Sequence, residues 1–161
     1  MAGHSYTATV EWRRGEGDFA KGRYSRAHVW RFDGGIEIAA SASPYVVPKP
    51  FSVEEAIDPE EAFIASLSSC HMLTFIDIAR RAGFVTESYE DTAEGVMERL
   101  EAGRWWVAKV TLRPTLVFSG SAPDAATLAD LHHKAHEACF IANSVKTEIV
   151  IDAPRLATKE L

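Results

Sequence analysis

The two cysteines are the residues of this chain best suited to redox chemistry. Cys70 lies in the stretch Ser-Ser-Cys-His, and Cys139 lies 69 positions later, directly before Phe140. Both fall in segments with a helical pattern, so the two thiols could meet if those helices pack together. A disulfide requires Cα atoms within roughly 7 Å of each other, and sequence spacing does not give that distance. The alternative is that both cysteines are small, buried apolar residues.

A reactive thiol needs a neighbouring cation or a helix N-terminus to stabilise its thiolate. Ser68 and Ser69 are good caps and poor helix formers, so they favour either a helix that restarts just before Cys70 or an unbroken helix with a crowded contact there. Glu60 precedes Cys70 by ten positions, which is about 15 Å along a straight helix. Glu60 can therefore act on Cys70 only through a break in the helix or through a bridging arginine.

The histidines are the other candidates for chemistry. His132 and His136 are spaced i, i+4, which can place two metal ligands on one helix face. The chain has no His-Glu-x-x-His motif, and no further ligand can be named, so we predict no metal site. His71 follows Cys70 and points about 100° away from it on a helix, which indicates a pocket or interface residue.

One long helix, predicted over residues 58–83, must position Cys70. Asp58 is a suitable N-cap, Pro59 suits the first helical position, and Glu61 completes a capping box. Gly83 follows two arginines and an alanine and marks the end of the helix. Apolar residues cover most faces between these ends, so we expect a buried central helix.

Strand patterns surround this helix, and the element order indicates an α+β class. Ahead of the helix we predict strands over 5–12, 24–32 and 36–40, a tight turn at 33–35 and an ordered loop over 41–57. After it we predict strands over 85–96, 105–118 and 146–151, and an amphipathic second helix that opens at Pro123-Asp124 and ends near Cys139. Pro114 suggests a bulge or an edge position.

The chain length predicts a single domain. Its parts are N-terminal strands and a loop (1–57), the central helical segment (58–83), strands with the second helix (84–153) and a tail (154–161).

The composition narrows the class of protein. The 161 residues include 17 basic and 23 acidic side chains, a net charge of -6, which argues against nucleic acid or an anionic membrane as a partner. Polar residues interrupt the central helix, so we expect no membrane span. The N-terminus shows no signal-peptide pattern, and two cysteines are too few for a disulfide-stapled secreted scaffold. We therefore expect a cytoplasmic protein.

The residues around the two cysteines resemble the OsmC/Ohr family of thiol-dependent hydroperoxide reductases. The resemblance rests on Asp58-Pro59-Glu60-Glu61, on Cys70 ten positions after Glu60, and on a second cysteine at the end of a later helix. The usual family motifs are Asn-Pro-Glu, Ala-Cys-Phe and Cys-Pro. This chain has Asp-Pro-Glu, Ser-Cys-His and Cys-Phe in their places. The order of strands and helices extends the resemblance to nearly the whole chain.

The resemblance implies a fold with antiparallel sheets around a long buried central helix, in an intertwined homodimer with active sites at the interface. It implies a cofactor-free enzyme of oxidative stress defence that reduces organic hydroperoxides to alcohols and is recycled by an external dithiol. Cys70 would be the peroxidatic thiol, Cys139 the resolving thiol, and Glu60 would orient an arginine that holds the thiolate. Arg26 is the first choice for that arginine, with Arg23 and Arg31 as alternatives.

The family's substrate pocket is apolar. Its candidate lining residues in this chain are Phe63, Leu67, His71, Phe75 and Phe140, and the alternative for each is the ordinary core. Two other functions stay open: a binding module that holds a lipid or small electrophile without turnover, and a thiol redox sensor.

Overall fold

The computed structural model of the protein describes residues 3–152 and 154–157. The chain divides into two compact units, Met1–Ala62 and Phe63–Leu161. The single-domain assignment stays a prediction. Of the predicted tail, Arg155–Leu156 forms a short strand, and residues 158–161 lie outside the described residues.

The first unit contains a three-stranded antiparallel sheet and a small hairpin. The sheet has the order β1-β4-β5 and the hairpin joins β2 to β3. Their bounds are β1 Ala8–Glu11, β2 Gly17–Asp18, β3 Arg23–Tyr24, β4 His28–Phe32 and β5 Glu37–Ala40.

The predicted turn before β5 is confirmed, because Gly35 has φ +81° and its N–H donates to the carbonyl of Phe32. The segment 41–57 contains no regular helix or strand, as predicted, and a single bridge joins Ile57 to Ala40. The predicted strand 24–32 is divided between β3 and β4.

Helix α1 runs from Pro59 to Arg81 without a break. The capping box is present: the N–H of Glu61 donates to Asp58 Oδ1 at 2.8 Å, and the N–H of Asp58 donates to Glu61 Oε2 at 3.1 Å. The helix ends at Gly83, whose φ of +90° lets the N–H of Phe84 reach back to the carbonyl of Ala79. The predicted boundaries are thus confirmed, and a restart of the helix before Cys70 is not observed.

Only one face of α1 is buried within the chain, which corrects the expected burial on most sides. The buried side chains recur every four residues at Leu67, His71, Phe75 and Ala79. Leu73 lies on another face and remains 63% exposed.

The length and composition of α1 would also allow it to cross a membrane, since an 18-residue window has a mean hydropathy of 1.5. The polar residues within α1 therefore do not by themselves exclude a membrane span, contrary to the sequence-based expectation. The burial of one regular face is nevertheless typical of a core helix.

The second unit contains two three-stranded sheets, ordered β10-β8-β7 and β11-β9-β6. Their bounds are β6 Val85–Asp91, β7 Glu94–Arg99, β8 Trp105–Leu112, β9 Pro114–Ser119, β10 Glu148–Ile151 and β11 Arg155–Leu156. Each sheet is mixed and not purely antiparallel as we expected, because β10 is parallel to β8 and β11 is parallel to β9.

The predicted strands 85–96 and 105–118 each prove to be two strands in different sheets. The chain changes sheet between β6 and β7, and again at Arg113 between β8 and β9. Pro114 is the first residue of β9, where its missing N–H is tolerated. The register shifts lie elsewhere, at Thr86/Ser88 and Val96/Met97.

Helix α2 spans Ala125–Ala138 and begins at Asp124, whose Oδ1 accepts the N–H of Thr127 at 2.7 Å. Its apolar stripe of Leu128, Leu131 and Ala135 packs with Phe75 and Ala79 of α1 in one core cluster. A second cluster is centred on Leu67, Val110 and Leu112. The packing of α1 against α2 places the C-terminal end of α2 beside the middle of α1.

Candidate functional site: a thiol pair beside an open groove

The two cysteines meet within the second unit. The Cys139 thiol donates a hydrogen bond to Cys70 Sγ with the sulfur atoms 2.8 Å apart, and both residues are free cysteines. Cys70 is carried by the middle of α1, and Cys139 is the residue that ends α2. The sequence left this proximity open, and helix packing brings it about.

The two thiols differ in environment. Cys139 is only 1% exposed, and burial, together with its hydrogen bond to Cys70, raises the pKa of its thiol to about 11. Cys70 is partly exposed, and its sulfur accepts both the Cys139 S–H and the N–H of Ile141 at 3.5 Å. Donors directed at a sulfur stabilise negative charge on it. Cys70 is therefore the hydrogen-bond acceptor of the pair, and Cys139 is the donor, whose deprotonation burial opposes.

The turn after α2 supplies these backbone donors. Residues 139–144 form a tight turn that includes the short 3-10 helix Ala142–Ser144, and the N–H of Asn143 donates to the carbonyl of Cys139. The N–H of Ala142 donates to Cys139 Sγ at 3.5 Å. The role of Ile141 and Ala142 was not found from the sequence, because it depends on the path of the backbone and not on their side chains.

Cys70 lies in a groove of about 680 Å³. The groove is lined by Ser66, Ser69, Cys70, Leu73, Thr74, Asp77, Ile78, Arg81, Ala138 and Phe140. The groove residues that belong to α1 lie on one helical face, three and four residues apart. If a continuous helix is assumed, they can be predicted from the position of Cys70. The groove combines apolar walls with an Asp77–Arg81 ion pair of 2.6 Å.

The structure separates the predicted pocket residues. Phe140 lines the groove and is 83% exposed. Leu67 and Phe75 lie in the two core clusters, and Phe63 packs against the cluster that contains Leu67. His71 is 2% exposed on the same buried face. These four are core residues of the second unit and not groove residues. Leu67, His71 and Phe75 lie on the buried face of α1, and Phe63 lies two helical turns before Cys70.

The predicted partners Glu60 and Arg26 belong to the first unit. Glu60 lies in the first turn of α1, and Arg26 donates to the backbone carbonyls of Gly22 and Tyr24 and covers the Tyr24 ring, 3.7 Å from its centroid. Arg26 also lines an apolar cleft of about 410 Å³ with Trp12 and other aromatic side chains of that unit. Within the described part of the chain, no ion pair joins Arg26 to Glu60.

The two alternative arginines differ from Arg26. Arg31 is engaged by two carboxylates, Glu11 and Glu37. Arg23 is exposed in β3. Arg26 is the one of the three that lines the aromatic cleft.

Two of the histidines form a buried pair behind the groove. His71 Nε2 and His132 Nδ1 are 3.0 Å apart, with ring planes inclined by 4°. Burial lowers the pKa of His71 to about 4 and that of His132 to about 3. Both rings are therefore neutral near pH 7, and His71 does not act as a cationic partner for Cys70.

Comparison with known proteins decides the family. The OsmC-like protein family model matches residues 52–153 of the chain. The protein belongs to the OsmC family.

Individual OsmC relatives support this assignment over most of the chain. Peroxiredoxin OsmC of Escherichia coli K12 is 28% identical over 109 residues, which cover 68% of this chain and 74% of the relative. The structure of an OsmC-like protein of unknown function from Vibrio cholerae is 51% identical, covers 96% of this chain and 99% of that one, and gives a TM-score of 0.89.

A more distant structure has the same fold. The organic hydroperoxide resistance protein of Elizabethkingia anophelis is 18% identical over 99% of this chain and all of that one, with a TM-score of 0.66. The α+β fold that the sequence resemblance implied is thereby confirmed.

Proposed function

We propose that this OsmC protein is a two-cysteine peroxidase that reduces organic hydroperoxides to alcohols in oxidative stress defence. The observation that carries the proposal is the 2.8 Å contact between a partly exposed Cys70 and a buried, protonated Cys139. The relationship to a protein named as a peroxiredoxin supports the same class of reaction.

The first step is nucleophilic attack of the Cys70 thiolate on the terminal oxygen of the hydroperoxide. The O–O bond breaks, Cys70 becomes a sulfenic acid, and the alkoxide leaves as the alcohol after it takes up a proton. The apolar groove walls at Leu73 and Phe140 suit the organic part of the substrate.

In the second step Cys139 attacks the Cys70 sulfenic sulfur, releases water and forms a disulfide. The proximity of Cys139 makes this step fast relative to further oxidation of Cys70. Two thiols of an external dithiol then reduce the disulfide by exchange, which places the enzyme in a reducing compartment such as the cytoplasm.

Charge stabilisation is assigned to Arg26 and Glu60. A guanidinium would stabilise both the thiolate and the departing alkoxide, and a carboxylate would fix its orientation. Arg26 is preferred over Arg31 because two carboxylates already engage Arg31.

We propose that the active unit is a homodimer with active sites at its interface.

Titration of the reduced protein with tert-butyl hydroperoxide, and separately with hydrogen peroxide, tests the proposal. Free thiols and intact mass are followed at each addition. The expected result is loss of both thiols with a decrease of about 2 Da per chain, faster with the organic peroxide.

Two outcomes would contradict the proposal. An inert Cys70 would favour a binding module, whose ligand affinity a Cys70→Ser variant would leave unchanged. Disulfide formation without catalytic turnover, when a dithiol such as dithiothreitol is in excess, would favour a redox sensor.

A further inference from the structure

A second cavity in the same unit has features that the thiol chemistry does not use. It measures about 240 Å³ and is lined by Ala129, His132, His133, His136, Ile151 and Pro154. His132 and His136 are one helical turn apart on α2, so both rings lie on the same side of the helix.

Two imidazole nitrogens at this cavity have no hydrogen-bond partner among the residues that the structure describes. They are Nε2 of His132 and Nδ1 of His136, and both atoms are buried. A buried polar atom without a partner carries a desolvation cost of about 1–3 kcal/mol. Two such atoms from neighbouring residues at one cavity indicate a ligand that both nitrogens can bind.

His132 is held in a fixed orientation. Its Nδ1 lies 3.0 Å from His71 Nε2, and its ring stacks on Phe75 with the centroids 4.2 Å apart. Its side chain is 2% exposed. If Nδ1–H of His132 donates to His71, the unpartnered Nε2 carries the free lone pair. Histidine ligands of metals are commonly oriented in this way, through a hydrogen bond from the second ring nitrogen.

We propose that His132 Nε2 and His136 Nδ1 bind a divalent transition-metal ion, of which Zn²⁺ is the test case, with His71 as the residue that positions His132. Imidazole nitrogens prefer such ions over Mg²⁺ and Ca²⁺. Among the described residues no group of three or more His, Cys, Asp or Glu is arranged for a metal. The pair is therefore an open site at which water completes the coordination.

The proposal departs from the sequence prediction of no metal site. That prediction rested on the lack of a third ligand and of a His-Glu-x-x-His motif. The structure adds what the sequence could not provide. The His132 ring is oriented by a hydrogen bond, and within the described ranges 3–152 and 154–157 the two ring nitrogens have no partner.

Isothermal titration with ZnCl₂ at pH 7 tests the site in the Cys70→Ser/Cys139→Ser double variant, which removes the thiols as competing ligands. Circular dichroism verifies that the variant is folded, and wild type oxidised to the disulfide provides the same test if it is not. The expected result is one Zn²⁺ bound per chain, with no binding of MgCl₂ at the same concentrations.

Histidine variants identify the ligands. His136→Gln should weaken Zn²⁺ binding by at least about tenfold, and His71→Gln by about tenfold through the orientation of His132. The matched control is His4→Gln, because His4 is an exposed histidine that does not line this cavity. This control should retain the affinity of the parent within about twofold, which is under 0.5 kcal/mol.

The proposal is overturned if Zn²⁺ binding is absent, or if it is unchanged in His136→Gln. Equal losses in His4→Gln and His136→Gln would also overturn the assignment of this ligand pair. These results are separate from the peroxidase proposal, since the titration is made without an active thiol pair.

Discussion

Helix α1 carries apolar side chains on two faces whose surroundings are very different. One face places Leu67, His71 and Phe75 in the core of the second unit, where they are almost fully buried. The other presents Cys70 and Leu73 to an open groove. A helix that is apolar on most sides therefore does not have to be buried on most sides within its own chain. Its exposed face is available for substrate or for a second copy of the chain.

The difference between the faces also separates two kinds of polar group. On the groove face Cys70 accepts donors and can carry negative charge. On the buried face His71 shares a hydrogen bond with His132, and burial keeps both rings neutral. Residues 70 and 71 are neighbours in the sequence, but their side chains point in directions about 100° apart. Their electrostatic environments therefore differ.

The largest effect is expected at the groove face. Cys70→Ser should reduce peroxidase turnover to background, because no second thiolate is available: the Cys139 thiol has its pKa raised to about 11. Cys139→Ser should instead allow one turnover and then accumulate sulfinic acid at Cys70, a gain of about 32 Da. Coupled-assay rates and intact mass distinguish the two variants. Equal sustained turnover in both would contradict the assigned roles.

The next largest effect is expected when a side chain on the buried face is truncated. Phe75→Ala removes a fully buried ring from the core cluster around α2, and we expect a loss of about 3–5 kcal/mol in the free energy of unfolding. Urea unfolding followed by circular dichroism measures it.

Leu73→Ala on the groove face is the matched control for Phe75→Ala. At low protein concentration it should cost about 0.5 kcal/mol or less. A larger loss that grows with concentration is expected only if this face is covered in the homodimer. A loss equal to that of Phe75→Ala at every concentration would remove the distinction between the faces.

The buried histidine pair predicts an acid-sensitive core. In the unfolded chain each ring titrates near 6.5, whereas in the folded chain the pKa is about 4 for His71 and about 3 for His132. Between these values the unfolded state binds more protons, so the free energy of unfolding is highest above about pH 6.5 and decreases as the pH falls towards 4. We expect the decrease for the pair to amount to several kcal/mol by pH 4.

Urea titrations at pH 7, 5.5 and 4 measure this decrease. The same titrations on His71→Gln account for the contribution of all other titrating groups, which the two proteins share. The variant should show a shallower pH dependence than wild type. His133→Gln, which changes an exposed ring, should reproduce the wild-type slope. An unchanged slope in His71→Gln would mean that the buried pair does not cause the acid sensitivity.

The smallest effect concerns the start of α1, which supports both faces alike. Asp58→Ala removes the side-chain acceptor for the N–H of Glu61, and we expect a loss of about 1 kcal/mol in the free energy of unfolding. Asp58→Asn, which keeps an acceptor, should lose less. The rate at which Cys70 reacts with iodoacetamide should stay the same in both variants. A slower rate would mean that the helix cap also affects the reactivity of Cys70.

Several features followed directly from local sequence. The capping box at Asp58, the end of α1 before Gly83, the start of α2 at Pro123-Asp124 and the turn at Gly35 were predicted because each depends on a few adjacent residues. The strands 85–96 and 105–118 were assigned too long, since alternation of side chains continues when a chain passes from one sheet into another. The parallel pairing of β10 with β8 and of β11 with β9 was missed, because each pair joins segments that are distant in the chain.

For the candidate site the division is similar. The motifs around Cys70 and Cys139 pointed to a redox pair and to the OsmC family, while three of the proposed pocket residues, Leu67, His71 and Phe75, proved to lie on the buried face. Residue type and periodicity indicate that a position is apolar, but they do not indicate which of two apolar faces is covered.

The amino-acid sequence by itself determined the two helices, their ends and the presence of two thiols on them, because these depend on interactions within a few residues. Only the tertiary structure decided that Cys70 and Cys139 meet and that the turn after α2 directs the N–H of Ile141 at Cys70. It also decided that His132 and His136 place at one cavity two nitrogens for which the described part of the chain offers no partner. The physical reason is that burial, pKa and hydrogen-bond partners are set by segments far apart in the chain, and these segments meet only after the helices pack.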